Sequence, residues 1–302
     1  MMSTPAADGQ TFSGASALVR YANLVKLPHT VFALPFALVG VTLASYGAPV
    51  TALDVLWVVI AFTAARFAAM GFNRIVDRDV DALNPRTKLR EIPSGVLSVG
   101  GAATAVVVAS LLFAVAAWQL NPLCLALSPV ALAWVLMYSF TKRFTRWCHL
   151  VLGVGLSIAP VGGFLAIAGQ WSEPWWMLIT LAVAVATWVG GFDILYALQD
   201  IDFDSSQRLH SLPVAMGAKR ALTFARLLHV LTVVMLGVVG GGIAAAGWLY
   251  AIGVAVAALL LLYEHSLVKP DDLSRLNAAF FTMNGVISIT FFAFVLAERF
   301  AG

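Results

Sequence analysis

The sequence predicts an all-α integral membrane protein, a bundle of about nine transmembrane helices. Two observations carry this. Of the 302 residues, 61% are hydrophobic and only 11% are charged, against about 25% charged in soluble domains. The apolar residues also fall in runs near the ~20 residues that a helix needs to cross a bilayer. The short alternating segments of a β-barrel are absent.

The runs cover roughly 28–47, 52–75, 99–119, 122–141, 149–169, 174–199, 221–246, 248–265 and 277–298. Gly47-Ala48-Pro49, Asn121-Pro122, Gly169-Gln170 and Ala246-Gly247 read as the tight turns between them. Asp54 reads as the outer cap of the second span. The remaining connections are basic: Arg20 and Lys26; Arg78, Arg86, Lys88 and Arg90; Lys142, Arg143 and Arg146; Arg208, Lys219 and Arg220; Lys269 and Arg275. Basic and neutral connections alternate. The positive-inside rule therefore places the N-terminus and every basic loop in the cytoplasm, as in a bacterial-type inner membrane, and the C-terminus outside.

Residues 1–18 are mostly small and polar and lack the basic-then-apolar pattern of a cleavable signal. A flexible tail is expected there, with a single transmembrane domain over 19–302. The net charge of +3 reports topology and lipid contact, and no base-reading motif implies a nucleic acid. Cys124 and Cys148 form no CxxC pair and read as small buried hydrophobes. His149, His210, His229 and His265 are scattered without metal-ligand spacing.

The chemistry lies in two acidic stretches. Asn73, Asp77 and Asp81 are spaced i, i+4, i+8 and drift only about 40° per step on a helix, so they share a face. Asp193, Tyr196, Asp200 and Asp204 again share one face. Asp79 and Asp202 fall off these faces and read as solvated. Carboxylates at the ends of membrane spans are costly and need a partner. Hard divalent cations take oxygen ligands, and Mg²⁺ usually combines one or two carboxylates with substrate phosphates. The two stretches are therefore expected to face each other across a cavity and hold a Mg²⁺–diphosphate.

Basic residues fit beside it. Arg86 and Arg90 follow the first motif in the loop Asn84-Pro85-Arg86-Thr87-Lys88-Leu89-Arg90, and arginine pairs bidentately with phosphate oxygens. Arg66 lies seven residues before Asn73 on the same face, about 10 Å down the helix, too deep to reach the interface. Tyr138 and Lys142 end the fourth span on the same side. Asp193 sits deeper than Asp200 and could ligate metal, act as a base or pair with Arg66. Lys26 and His29 open the first span and could contact an acidic acceptor. A Walker-type glycine loop is missing. A weak internal echo is visible: Asp77-x₃-Asp81 precedes Arg90, Pro93 and Gly95, and Asp200-x₃-Asp204 precedes Arg208, Pro213 and Gly217.

Mg²⁺ and cationic side chains stabilise a diphosphate leaving group. An allylic diphosphate leaves a carbocation, which a dry aromatic cavity protects. An intramembrane site also gives a polyprenyl tail an exit into lipid, and an electron-rich ring is the fitting nucleophile.

Asn73-x₃-Asp77-x₃-Asp81, Tyr138-x₃-Lys142 and Asp200-x₃-Asp204 together resemble the motifs of the UbiA superfamily of intramembrane aromatic prenyltransferases, over nearly the whole chain. The stretches Lys26-Leu27-Pro28-His29, Asn84-Pro85-Arg86-Thr87 and Tyr196-Ala197-Leu198-Gln199-Asp200 look like its 4-hydroxybenzoate polyprenyltransferase-like branch. The resemblance implies helices around a central cavity and transfer of a polyprenyl group to an aromatic acid, 4-hydroxybenzoate or a naphthoate, in ubiquinone or menaquinone synthesis. It implies Mg²⁺ on Asn73, Asp77, Asp81, Asp200 and Asp204. Arg66 and Lys142 would lie on phosphate oxygens, and Asp193 matches a family position. One departure is Asn73-Arg74, where the family often has Asn-Asp. Two other readings compete: a transporter with an ion path through Arg66 and Asp193, and a CDP-alcohol phosphotransferase, whose Asp-Gly-x₂-Ala-Arg signature is missing.

Overall fold

A short amphipathic helix, α1 (Ala17–Leu24), leads into the bundle. In the computed structural model, residues 12–14, 16–26, 28–243 and 246–301 are described, with the side chains of 28–32 left outside. Most of the expected tail lies outside this set, but Ser16 caps α1 and Phe12 exchanges hydrogen bonds with the Asn23 side chain, 2.8 and 3.0 Å.

The membrane helices follow in order. They are α2 (Pro28–Ala44) and α3 (Ala52–Val76), then the short α4 (Arg78–Leu83), then α5 (Val99–Leu120), α6 (Pro122–Met137) and α7 (Cys148–Ala168). Next come α8 (Trp176–Ala197), the short α9 (Ile201–Ser206), α10 (Leu212–Gly241), α11 (Trp248–Leu267) and α12 (Asn284–Ala301). A 3₁₀ segment, Tyr138–Arg143, ends α6, and a π-helical turn, Ala278–Met283, precedes α12. Among the described residues, eight helices are long and apolar enough to span, and α2 is a shorter apolar helix. The protein is thus a multi-pass membrane bundle.

Several helix ends are set by local chemistry. The N-cap of α3 is Thr51, not Asp54. Asp54 is instead the third-position partner of a capping box, accepting from the Thr51 backbone at 2.9 Å while Thr51 Oγ1 accepts from Asp54 N–H. Asn121 caps α6 and also donates to the Leu165 and Ala166 carbonyls, tying that turn to α7. Ser211 caps α10. This helix begins nine residues before the expected span and breaks at Gly217, where φ is +78°, a backbone that glycine adopts without a Cβ clash.

The helices close into a ring. α3 packs on α5, α7 on α8, α8 on α10, α11 on α12, and α12 returns to α2. Close backbone contact fixes one crossing: Gly40 of α2 lies against the Pro160 carbonyl of α7, and Gly163 of α7 against the Ala37 carbonyl of α2. Lipid offers no hydrophobic drive between helices, so small residues that admit dispersion contact hold such crossings. Inside the ring, Trp188 of α8 meets Phe36 at 4.6 Å and Phe192 at 5.0 Å. This aromatic core lies directly beneath the acidic segments, because Trp188, Phe192, Tyr196 and Asp200 follow one another along the same stretch of chain.

Candidate functional site

The two acidic motifs have the same local architecture. Each follows a long helix and caps a six-residue helix. Asp77 stands before α4 with φ −92° and ψ 4°, and Asp200 stands before α9 with φ −104° and ψ 5°. Asp81 and Asp204 follow four residues later and are both buried. Gly95 and Gly217, further along the two halves, have φ of +77° and +78°. The weak sequence echo thus has a counterpart in the backbone.

Ion pairs join the two motifs. Arg86, in the loop after α4, donates to both oxygens of Asp200, Nε to Oδ1 at 3.1 Å and Nη2 to Oδ2 at 2.8 Å. Its Nη1 donates to the Tyr196 hydroxyl at 3.2 Å. Asn84 fixes that loop by accepting from Arg86 N–H at 2.9 Å, and its Nδ2 lies 3.4 Å from Asp200. Arg90 Nη1 bridges both oxygens of Asp81 at 2.7 and 2.8 Å. The 3₁₀ segment spans the gap: Lys142 meets Asp204 at 2.7 Å, and Arg143 meets Asp77 at 3.3 Å. Asn73 donates to Asp77 at 2.8 Å. The first motif, its loop, the 3₁₀ segment and the second motif therefore form one constellation at one end of the bundle.

Deeper in, Arg66 and Asp193 both lie within electrostatic reach of Tyr138. Asp193 is held by His149 of α7, whose Nδ1 is 2.7 Å from Asp193 Oδ2. The Leu212 N–H points at His149 Nε2 at 3.4 Å, which leaves Nδ1 to carry the donor hydrogen. His149 is buried, whereas the Asp193 side chain is 25% exposed. Without forming a metal-ligand group among the described residues, His149 thus meets Asp193 across two helices, and His229 meets His265 at 3.0 Å. Sequence spacing could not show this, because α7 meets α8 and α10 meets α11 only in the fold.

Asp79 and Asp202 are exposed, as expected. Lys26 is buried at the end of α1 with φ +47°. The His29 side chain lies outside the described residues. Arg143 and Asn84 were missed as site residues. Arg143 reads in sequence as one more topology charge, and only the 3₁₀ turn aims it at Asp77.

Among the described residues, no three His, Cys, Asp or Glu side chains meet closely enough to hold a metal alone. The expected five-residue set is thus gathered at one end but is not a closed cage. The donors are hard oxygens, and each motif offers two carboxylates. That fits an Mg²⁺ whose remaining ligands come from phosphate.

The profile of the UbiA prenyltransferase family matches residues 33–286. The chain belongs to this family. It is therefore an enzyme of the transferase class. Among related UbiA proteins, a 4-hydroxybenzoate octaprenyltransferase of Alkalilimnicola ehrlichii is 30% identical, over 94% of this chain and 96% of its own. One from Tolumonas auensis is 29% identical over 91% and 94%. The apo structure of a UbiA homolog from Aeropyrum pernix K1 superposes with a TM-score of 0.80 at 32% identity, covering 89% of this chain and 98% of the other. A UbiA homolog from Archaeoglobus fulgidus bound to DMAPP and Mg²⁺ has a TM-score of 0.70 at 22% identity, over 94% and 100%, and shares the fold. At the one departure from the family pattern, Arg74 is buried and donates to the Leu24 carbonyl at 3.2 Å. It ties α1 to α3.

Proposed function

We propose that this UbiA protein transfers a polyprenyl group from a polyprenyl diphosphate to a ring carbon of an aromatic acid, 4-hydroxybenzoate or a related naphthoate, in quinone synthesis. The observation that carries the reading is the single constellation of four aspartates with Arg86, Arg90, Lys142 and Arg143 at one end of an apolar bundle. The names of the curated relatives support the aromatic acceptor. The basic connections support a cytoplasmic position for this end and for the N-terminus in an inner-membrane protein.

Asn73, Asp77, Asp81, Asp200 and Asp204 would supply oxygen ligands for Mg²⁺. Bound Mg²⁺ would neutralise charge on the diphosphate as the allylic carbon–oxygen bond breaks. Arg66, Arg86, Arg90, Lys142 and Tyr138 hold the diphosphate, which departs with the bonding electron pair. The aromatic core around Phe192 and Trp188 excludes water from the allylic cation. Lys26 and His29 hold the carboxylate of the acceptor. Its ring carbon forms the new bond and then loses its hydrogen as a proton. Asp193 accepts that proton, oriented by His149 Nδ1–H, while Tyr196 keeps Arg86 in place.

The test uses membranes with Mg²⁺, a labelled polyprenyl diphosphate and a panel of aromatic acids, followed by identification of the lipid product. The wild type forms prenylated acid, and D77A and D200A do not. Full product formation by both variants overturns the reading.

A further inference from the structure

Glu264 has no part in this chemistry, yet it is fully buried in α11 and neither carboxyl oxygen has a hydrogen-bond partner among the described residues. It lies one turn before the end of α11, where Leu267 packs against the apolar cluster that contains Leu195 and Leu198. Its neighbour is Asn284, the first residue of α12. Asn284 is also fully buried, and its Oδ1 is likewise without a partner among the described residues. A charged carboxylate buried in a membrane bundle is strongly disfavoured unless it is paired. A neutral carboxylic acid there has one hydrogen to donate, and Asn284 Oδ1 is the acceptor that lacks one.

The other end of Asn284 leads to the site. Its Nδ2 donates to the Phe280 carbonyl at 2.8 Å and lies 3.5 Å from the Ala279 carbonyl. Both carbonyls belong to the π-helical turn Ala278–Met283. Successive residues of an α-helix point about 100° apart, yet here Phe280 and Phe281 reach the same ring. Phe280 stacks on Tyr196 at 4.1 Å and 28°, and Phe281 meets it edge-on at 5.9 Å and 72°. Arg86 covers the same ring at 5.4 Å while bonding its hydroxyl. π-turns recur at functional sites because the extra residue redirects side chains.

We propose that Glu264 and Asn284 are positioning residues: Glu264, as the neutral acid, donates to Asn284, which locks the π-turn and so seats Phe280 and Phe281 against the Tyr196–Arg86 corner of the diphosphate site. The ligand assignment rests on the proposed function, whereas the lock itself does not.

The full-length protein is studied in detergent or nanodiscs in two ways. Without ligand, amide hydrogen exchange over 278–284 is slow in the wild type and in E264Q, which keeps a neutral donor, and faster in E264A and N284A. With ligand, calorimetry gives the affinity for Mg²⁺-pyrophosphate, and turnover with polyprenyl diphosphate separates KM from kcat. E264Q stays within about twofold of wild type. E264A and N284A raise Kd and KM by about five- to tenfold with kcat less affected, the scale of losing an aromatic pair and a cation–π contact. F280L, which leaves the lock intact, reproduces the weaker binding at an unchanged thermal midpoint. The double variant N284A/F280L binds no more weakly than the worse single variant. Equal damage by E264Q and E264A overturns the proposal, as does slow exchange retained in N284A or an additive double variant. A wild type that shows the exchange pattern but transfers no prenyl group refutes the assigned reaction and leaves the lock standing.

Discussion

Arg86 and Asp200, 114 residues apart in the chain, close on each other as a two-pronged ion pair with bonds of 3.1 and 2.8 Å, both side chains under 10% exposed. This pair links the loop after the first acidic motif directly to the second. Removing one partner of such a pair leaves a buried charge uncompensated, at a cost of about 3–5 kcal/mol. R86A is expected to lower the stability of the ligand-free protein by about 3 kcal/mol. R86K keeps the charge but not the fork or the bond to Tyr196, so about half that loss is expected. Denaturation of the purified variants measures both, and equal stability of R86A and wild type contradicts the linkage.

All four motif aspartates are held by cations of their own chain: Asp77 by Arg143, Asp81 by Arg90, Asp200 by Arg86 and Asp204 by Lys142. A divalent cation alone competes with these side chains, and pyrophosphate alone competes with the carboxylates for them. Bound together, the two ligands let both sets exchange partners. Mg²⁺ and pyrophosphate should therefore tighten each other's binding by about tenfold or more, with the same factor in both directions. Calorimetry, corrected for the complex they form in solution, reads this. Independent affinities would refute it.

His149 is 2.7 Å from Asp193 and is locked from behind by the Leu212 N–H. If Asp193 takes the ring proton, D193N should lower kcat by about 100-fold or more, the usual scale of a lost general base. Pyrophosphate affinity should change little. H149Q keeps a donor and should lose less than H149F. Single-turnover rates decide this, and a wild-type rate in D193N removes Asp193 from the mechanism.

Burial, reinforced by the nearby charge of Asp81, holds Asp77 above the ordinary aspartate range, against the opposing pull of Arg143 and Lys142. With its pKa raised in the native state, Asp77 takes up a proton sooner as pH falls than it would in the unfolded chain. Its contribution therefore favours the native state slightly toward acid pH and is lost as pH rises through the native pKa. A metal must displace that proton. Mg²⁺ binding should release protons where Asp77 is still protonated but a free aspartate is not, and weaken as pH falls further, an effect screened by the 31% exposure of the side chain. Calorimetry in two buffers of different ionisation enthalpy detects the release, which D77N should reduce.

Much of this was legible in the chain. Long apolar runs state their own length, so the membrane bundle follows from one-dimensional signals. The i, i+4 spacing of Asp77 with Asp81 and of Asp200 with Asp204 fixes shared faces for the same reason. The pairing of His149 with Asp193 was not legible, because His149 has nothing acidic near it in sequence. Asp54 misled because a capping box uses two residues, and the cap itself is Thr51.

The sequence by itself determined the long apolar helices and the residue types gathered at their ends, because hydropathy and helical periodicity act over neighbouring positions. Only the tertiary structure decided that Arg86 meets Asp200, that His149 meets Asp193, and that α11, which carries Glu264, packs against the turn carrying Phe280. Those pairings join helices far apart in the chain. They depend on which helix packs against which, and the bilayer enforces the outcome because it offers a buried charge or donor no water as an alternative.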